Sequence, residues 1–150
     1  MRKMILLSFC ASLFVLGCGT GAKPKPKVYP VTGKVTQGGK PLGDCTIGFA
    51  LVTAPEGAPP GYSGVVAADG TYTLVDPSDG KEGAAEGKYK VILSPSPQAA
   101  QKAMMAPGAM GPGYAGGVGG IPQKNQQVAT TDIEKEVKAQ DKNEIDITLP

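Results

Sequence analysis

Period-2 alternation of apolar and polar residues, broken at short intervals by glycine and proline, runs through most of this chain and favours β-strands over helices. Val31, Gly33 and Val35 alternate with Thr32, Lys34 and Thr36, and Gln37-Gly38-Gly39-Lys40 then offers a tight turn with glycine where positive φ is needed. Over residues 45–52 the odd positions Cys45, Ile47, Phe49 and Leu51 share one face. Residues 63–68 and 71–75 flank Asp69-Gly70, a strong hairpin signal, with Tyr72 and Leu74 on one side. Tyr89, Val91 and Leu93 alternate through 87–93, and Ile133 and Val137 alternate with Asp132, Glu134, Glu136 and Lys138. After a turn at 139–143, Ile145, Ile147 and Leu149 close the chain. Seven strands over 29–94 and 128–150 predict an all-β domain at 29–150, a seven-stranded antiparallel β-sandwich. Its core must come from Val, Ile, Leu and Tyr around Phe49. The 22 Gly and 14 Pro exclude a helical bundle or coiled coil, which would be rich in Ala, Leu, Glu and Lys at helical periods.

One stretch breaks the rhythm. Residues 94–127 are rich in Gly, Pro, Ala and Met without a periodic apolar pattern, and read as a disordered insertion before the last two strands. Within it, 98–106 suits one or two helical turns before Pro107 stops them, and 107–120 reads as disordered.

The N-terminus is of another kind. Met1-Arg2-Lys3 precedes a 13-residue apolar run over 4–16, shorter than the ~20 residues a spanning helix needs. A basic start, a short apolar stretch and a small residue at its end read as a signal peptide, residues 1–17. Val15-Leu16-Gly17-Cys18 resembles the lipobox of bacterial lipoproteins. The resemblance implies cleavage after Gly17, a diacylglyceryl thioether on Cys18, and a bacterial cell-envelope protein lipid-anchored to a membrane. Two or more acyl chains give stable anchoring. Residues 18–28 then form an anchor and a stalk, because Lys23-Pro24-Lys25-Pro26-Lys27 favours extended polyproline II. Three lysines near a lipid anchor suit anionic headgroups, although a solvated linker is the simpler reading.

Processing changes the charge. Of 15 basic and 13 acidic side chains, Arg2 and Lys3 leave with the leader, so the mature side chains sum to zero and no nucleic-acid partner is expected. Histidine is absent, which removes Ser-His-Asp triads, Cys–His dyads and His-ligated metals. No catalytic residue, metal or cofactor is expected. Of the three cysteines, Cys10 leaves with the leader and Cys18 is the lipidation site. Cys45 remains alone, and its parity with Ile47 and Phe49 makes it a small buried hydrophobe.

Val31-Thr32-Gly33-Lys34-Val35, then Gly39-Lys40-Pro41-Leu42, then Asp69-Gly70-Thr71-Tyr72-Thr73-Leu74, then Gly87-Lys88-Tyr89-Lys90-Val91 resembles a carboxypeptidase-regulatory-like domain. The resemblance covers 31–93 and implies a transthyretin-like (prealbumin-like) sandwich related to Cna B-type modules, acting as an accessory or binding module rather than a catalyst. That kinship raises a Lys34–Asp146 isopeptide bond. Both residues have solvent-facing parity, whereas the chemistry needs a buried Lys with a depressed pKa. Asp76-Pro77-Ser78-Asp79-Gly80 clusters oxygens as a calcium loop does, but lacks EF-hand spacing and reads as an Asp/Gly turn. Two functions follow. One is a non-catalytic lipid-anchored envelope protein presenting a small β-sandwich for structural or binding roles. The other is a module that binds an envelope protein, peptide or glycan through a loop or sheet edge. Without Trp, and with Tyr114 the sole aromatic in the long loop, a sugar-stacking platform is disfavoured.

Overall fold

Valines at 31 and 35 fall on one face of a β-branched run, and burying that face makes Val31–Gln37 the strand around which the molecule is built. The computed structural model describes residues 24–53, 57–105 and 120–150. In chain order the strands are β1 (Val28–Tyr29), β2 (Val31–Gln37), β3 (Lys40–Pro41), β4 (Cys45–Leu51), β5 (Gly61–Val66), β6 (Thr71–Thr73), β7 (Ala84–Ala85), β8 (Gly87–Pro95), β9 (Glu134–Val137), β10 (Asn143–Glu144) and β11 (Ile147–Leu149). Among the described residues there are also a helix, α1 (Pro97–Met105), and a 3-10 turn (Gln123–Gln126).

The main sheet runs β10-β2-β6-β5-β4-β8-β9, with β3 and β11 also on β2 and a separate two-stranded β1–β7 ladder. It is all-β and mostly antiparallel. One expectation is corrected: β10 and β11 pair with β2 in parallel, in one continuous register from Asn143↔Val31 to Leu149↔Gln37. The reason lies in the preceding turn. β9 is the last strand on the β8 side, yet residues 138–142 carry the chain straight to the opposite sheet edge beside β2. The sheet must therefore curl until its two edges approach. Asn143 joins them, accepting the Lys138 N–H at 2.9 Å and returning an N–H to the Lys138 carbonyl at 3.1 Å. Its backbone N–H meanwhile donates to Pro30 at 2.9 Å.

The curl encloses the core. Phe49 on β4 and Tyr72 on β6 are separated by β5, roughly 10 Å apart in a flat sheet, yet their ring centroids lie 6.3 Å apart. Tyr89 meets Phe49 at a tilt, 5.7 Å between ring centroids, and Tyr62 edge-on at 6.0 Å, so tyrosine supplies most of the aromatic volume, as the composition required. The alternation of β4, β8 and the C-terminal strand holds for Cys45, Ile47, Phe49, Tyr89, Val91, Leu93, Ile145, Ile147 and Leu149, all buried, while Leu51 at the end of β4 is only partly covered.

The span 94–127, read as a disordered insertion with one or two helical turns over 98–106, carries α1 at one described end and the 3-10 turn near the other. Ser96 caps α1, its hydroxyl accepting the Ala99 N–H at 3.1 Å, and Pro97 takes the first helical position. At the other end, Ile121 is 1% exposed within the core, and Gln37 donates to the Gly120 carbonyl at 2.6 Å. One isoleucine among glycines and prolines carries no period, so its burial was not legible. Residues 106–119, which include Met110 and Tyr114, lie outside the described residues.

Candidate functional site

Cys18, the residue on which the sequence reading turns, lies outside the described residues. What the structure places is the point where the chain leading from it joins the domain. There Val28 and Tyr29 pair with Ala85 and Ala84. The approach requires Gly83, at φ +119°, because a Cβ would overlap the Tyr29 carbonyl. Just before this ladder, the Lys25 ammonium sits between two carboxylates, 3.2 Å from Asp76 Oδ2 and 3.0 Å from Asp79 Oδ2. Lys27 lies over the Tyr29 ring, 5.0 Å from its centroid.

The carboxylates are held by their own loop. Asp76 Oδ1 accepts the Ser78 N–H at 2.8 Å and also the Ser78 hydroxyl. The Asp76 N–H donates to Lys81 at 2.8 Å, and its carbonyl accepts from Gly80 at 2.9 Å. Asp79 Oδ1 accepts the Lys81 N–H at 3.1 Å, and the Lys81 ammonium lies 3.4 Å from Asp79 Oδ2. The Asp76 side chain is only 2% exposed. Burial alone would raise its carboxyl, but the Ser78 donors and Lys25 outweigh burial and hold it below the usual range. Asp79 is lowered by Lys25 first and then by the Lys81 N–H, and Lys25 is raised chiefly by Asp79. The loop read as an Asp/Gly turn with clustered oxygens therefore holds a lysine ammonium from the segment read as stalk. Among the described residues, no three His, Cys, Asp or Glu side chains gather as a metal site.

The other singled-out residues serve structure. Lys34 and Asp146 are both exposed, and the Asp146 carboxylate accepts the Lys34 backbone N–H at 2.8 Å. Cys45 is 2% exposed, and burial, then the neighbouring Asp44, pushes its thiol up to about 11. A buried, protonated thiol is a poor nucleophile.

The outer face of β2, β6 and β5 forms an open trough of about 600 Å³. Thr32 faces Thr73 and Lys34 faces Thr71 across the ladder, Val65 stands 77% exposed beside them, and Lys142 and Glu144 form part of the rim. Threonine hydroxyls, a lysine and the Glu144 carboxylate, which lies 3.5 Å from the Lys142 ammonium, can hydrogen-bond a ligand there. Lys25, Asn143 and Ile121 were missed by sequence reasoning, since each acts on a partner far along the chain and no local spacing marks it. Set against protein-family models, curated proteins and solved structures, the chain shows no match.

Proposed function

We propose that this chain is a non-catalytic bacterial lipoprotein, anchored through Cys18 in the cell envelope, that presents one small β-domain for structural or binding roles. The observation that carries the reading is the lipobox, Val15-Leu16-Gly17-Cys18, after a basic start and a 13-residue apolar run. The segment that follows the lipobox is fastened to the domain by Lys25 and β1, so an anchor at Cys18 would hold the domain at that point. At the finer level we read the domain as a prealbumin-like sandwich of the carboxypeptidase-regulatory-like kind. In support, its motif residues fall on β2, the β2–β3 turn, the β5–β6 hairpin and β8. The test of anchoring is intact mass of the membrane-extracted protein, expected to lack residues 1–17 and carry added acyl mass. A Cys18→Ala variant still found with membranes would end the reading.

The trough favours a second reading, a module for a peptide or glycan of the envelope. Soluble domain applied to peptide and glycan arrays separates the two. Selective binding abolished by Val65→Lys and Thr73→Glu supports the module, and its absence leaves the anchored scaffold.

A further inference from the structure

Strand direction sorts the domain into two poles. At one pole lie Lys25, the 76–83 loop, the β1–β7 ladder, the starts of β2 and β8, and the turn at 138–142. At the other lie the ends of those strands: Gly38-Gly39, Asp69-Gly70, the start of α1, and Gly120 held by Gln37. β8 alone, nine residues from Gly87 to Pro95, sets the poles on the order of 25 Å apart.

From Cys18 to the clasped Lys25 the chain has seven residue steps, which span ~25 Å at full extension. To bring the Gly38–Gly39 pole onto the membrane, the tether would have to run the whole length of the domain with nothing to spare. If Lys25 and β1 were free, five further residues up to Pro30 would add ~17 Å and lift that restriction. The clasp is thus what makes the tether short. We propose that the anchored protein rests with its 76–83 pole against the lipid headgroups, its hairpin pole and α1 directed outward as the surface open to other envelope components. This rests on lipidation at Cys18. The membrane-facing pole mixes both signs, Lys27, Lys81 and Lys138 with Glu82, Glu86 and Asp141, all exposed. Geometry rather than charge then sets the orientation, so anionic lipid is not needed.

The experiment uses the full lipidated chain, expressed with its own leader, in phosphatidylcholine vesicles carrying a short-range quencher on the headgroup. Fluorophores go on Lys81→Cys or Glu82→Cys at the near pole and Lys40→Cys at the far pole, with Cys45 buried and silent. Quenching at 81 and 82 is expected to exceed that at 40 at least threefold, with and without anionic lipid, and Lys25→Gln should bring the ratio toward one. Equal quenching at both poles of vesicle-bound protein, or stronger quenching at 40, overturns the orientation while leaving the anchor intact. Protein that carries no acyl mass and does not float with vesicles overturns the anchor, and the orientation with it.

Discussion

The Tyr72 hydroxyl donates to the Ile145 carbonyl at 2.6 Å and so takes that carbonyl out of the strand ladder. In the parallel register the Ile145 N–H donates to Thr32 at 2.8 Å, and the next bond would run from Lys34 N–H to Ile145 O. The Asp146 carboxylate accepts that N–H instead, which is why β10 and β11 are two strands in one register. Gly33, opposite Tyr72 on β2, leaves the passage open: a Cβ there would overlap the Ile145 carbonyl and press on the tyrosine ring. The glycine of one motif and the tyrosine of another form a single device that straps the C-terminal strand to the sheet.

Removing the hydroxyl alone tests the strap. Tyr72→Phe keeps the ring and strands a buried carbonyl, a loss of ~1–3 kcal/mol. At ~4–8 °C per kcal/mol, melting should fall visibly while the far-ultraviolet dichroism stays native. Gly33→Ala should cost more, because its methyl must displace backbone. A Tyr72→Phe variant melting with the parent would show that the hydroxyl bond contributes nothing.

The clasp should make stability fall in acid. Asp76 and Asp79 both titrate below the ordinary carboxylate value in the folded protein. Their contribution is therefore complete above that ordinary value and lost as pH drops through the lowered ones. Lys25→Gln should lower melting near neutrality, and the gap to the parent should narrow below about pH 4 as the carboxylates protonate in both. A gap that is constant from pH 7 to pH 3 would rule out the ion pairs as its source.

Cys45 should report the strand register from within. Its thiol is raised from 9.0 to about 11, so a thiol reagent at neutral pH should react only as fast as the protein opens. The sign for stability is opposite to that of the carboxylates. The raised value favours folding below pH 9 and the contribution is lost as pH climbs toward 11. Cys45→Ala should flatten that alkaline decline, and labelling of native protein as fast as denatured protein would contradict the burial.

What could be read from the sequence divides by range. The inward set on β4, β8 and the C-terminal strand follows from period 2 alone, because one buried face fixes every second residue. Asp69-Gly70 announces its hairpin, with Gly70 at φ +82° and Asp69 accepting from the Thr71 N–H and hydroxyl. Parallel pairing of the last strand leaves no such mark, since alternation is the same in either direction. The clasp was illegible for a related reason. Lys25 and Asp76 are 51 positions apart, and lysine, aspartate and proline suit a solvated linker and a turn as well as an ion pair. Asn143 looked like one more turn residue, though its side-chain amide holds Lys138 beyond β9 while its backbone N–H holds Pro30 before β2.

The span 94–127 offers the sharpest contrast between length and importance. Replacing residues 106–119 by a short Gly-Ser linker should change melting little, because loop closure depends on length only as (3/2)RT ln n, ~0.6 kcal/mol per halving. Helix α1 has no fully buried side chain among those described. Ile121, a few positions later, is 1% exposed in the core. Truncating it to alanine should cost ~2–5 kcal/mol, enough to lower melting by roughly ten degrees or more. One residue should thus outweigh fourteen. If the linker variant melts ten degrees below the parent while Ile121→Ala does not, the apolar residues of 106–119 pack on the domain and Ile121 is dispensable.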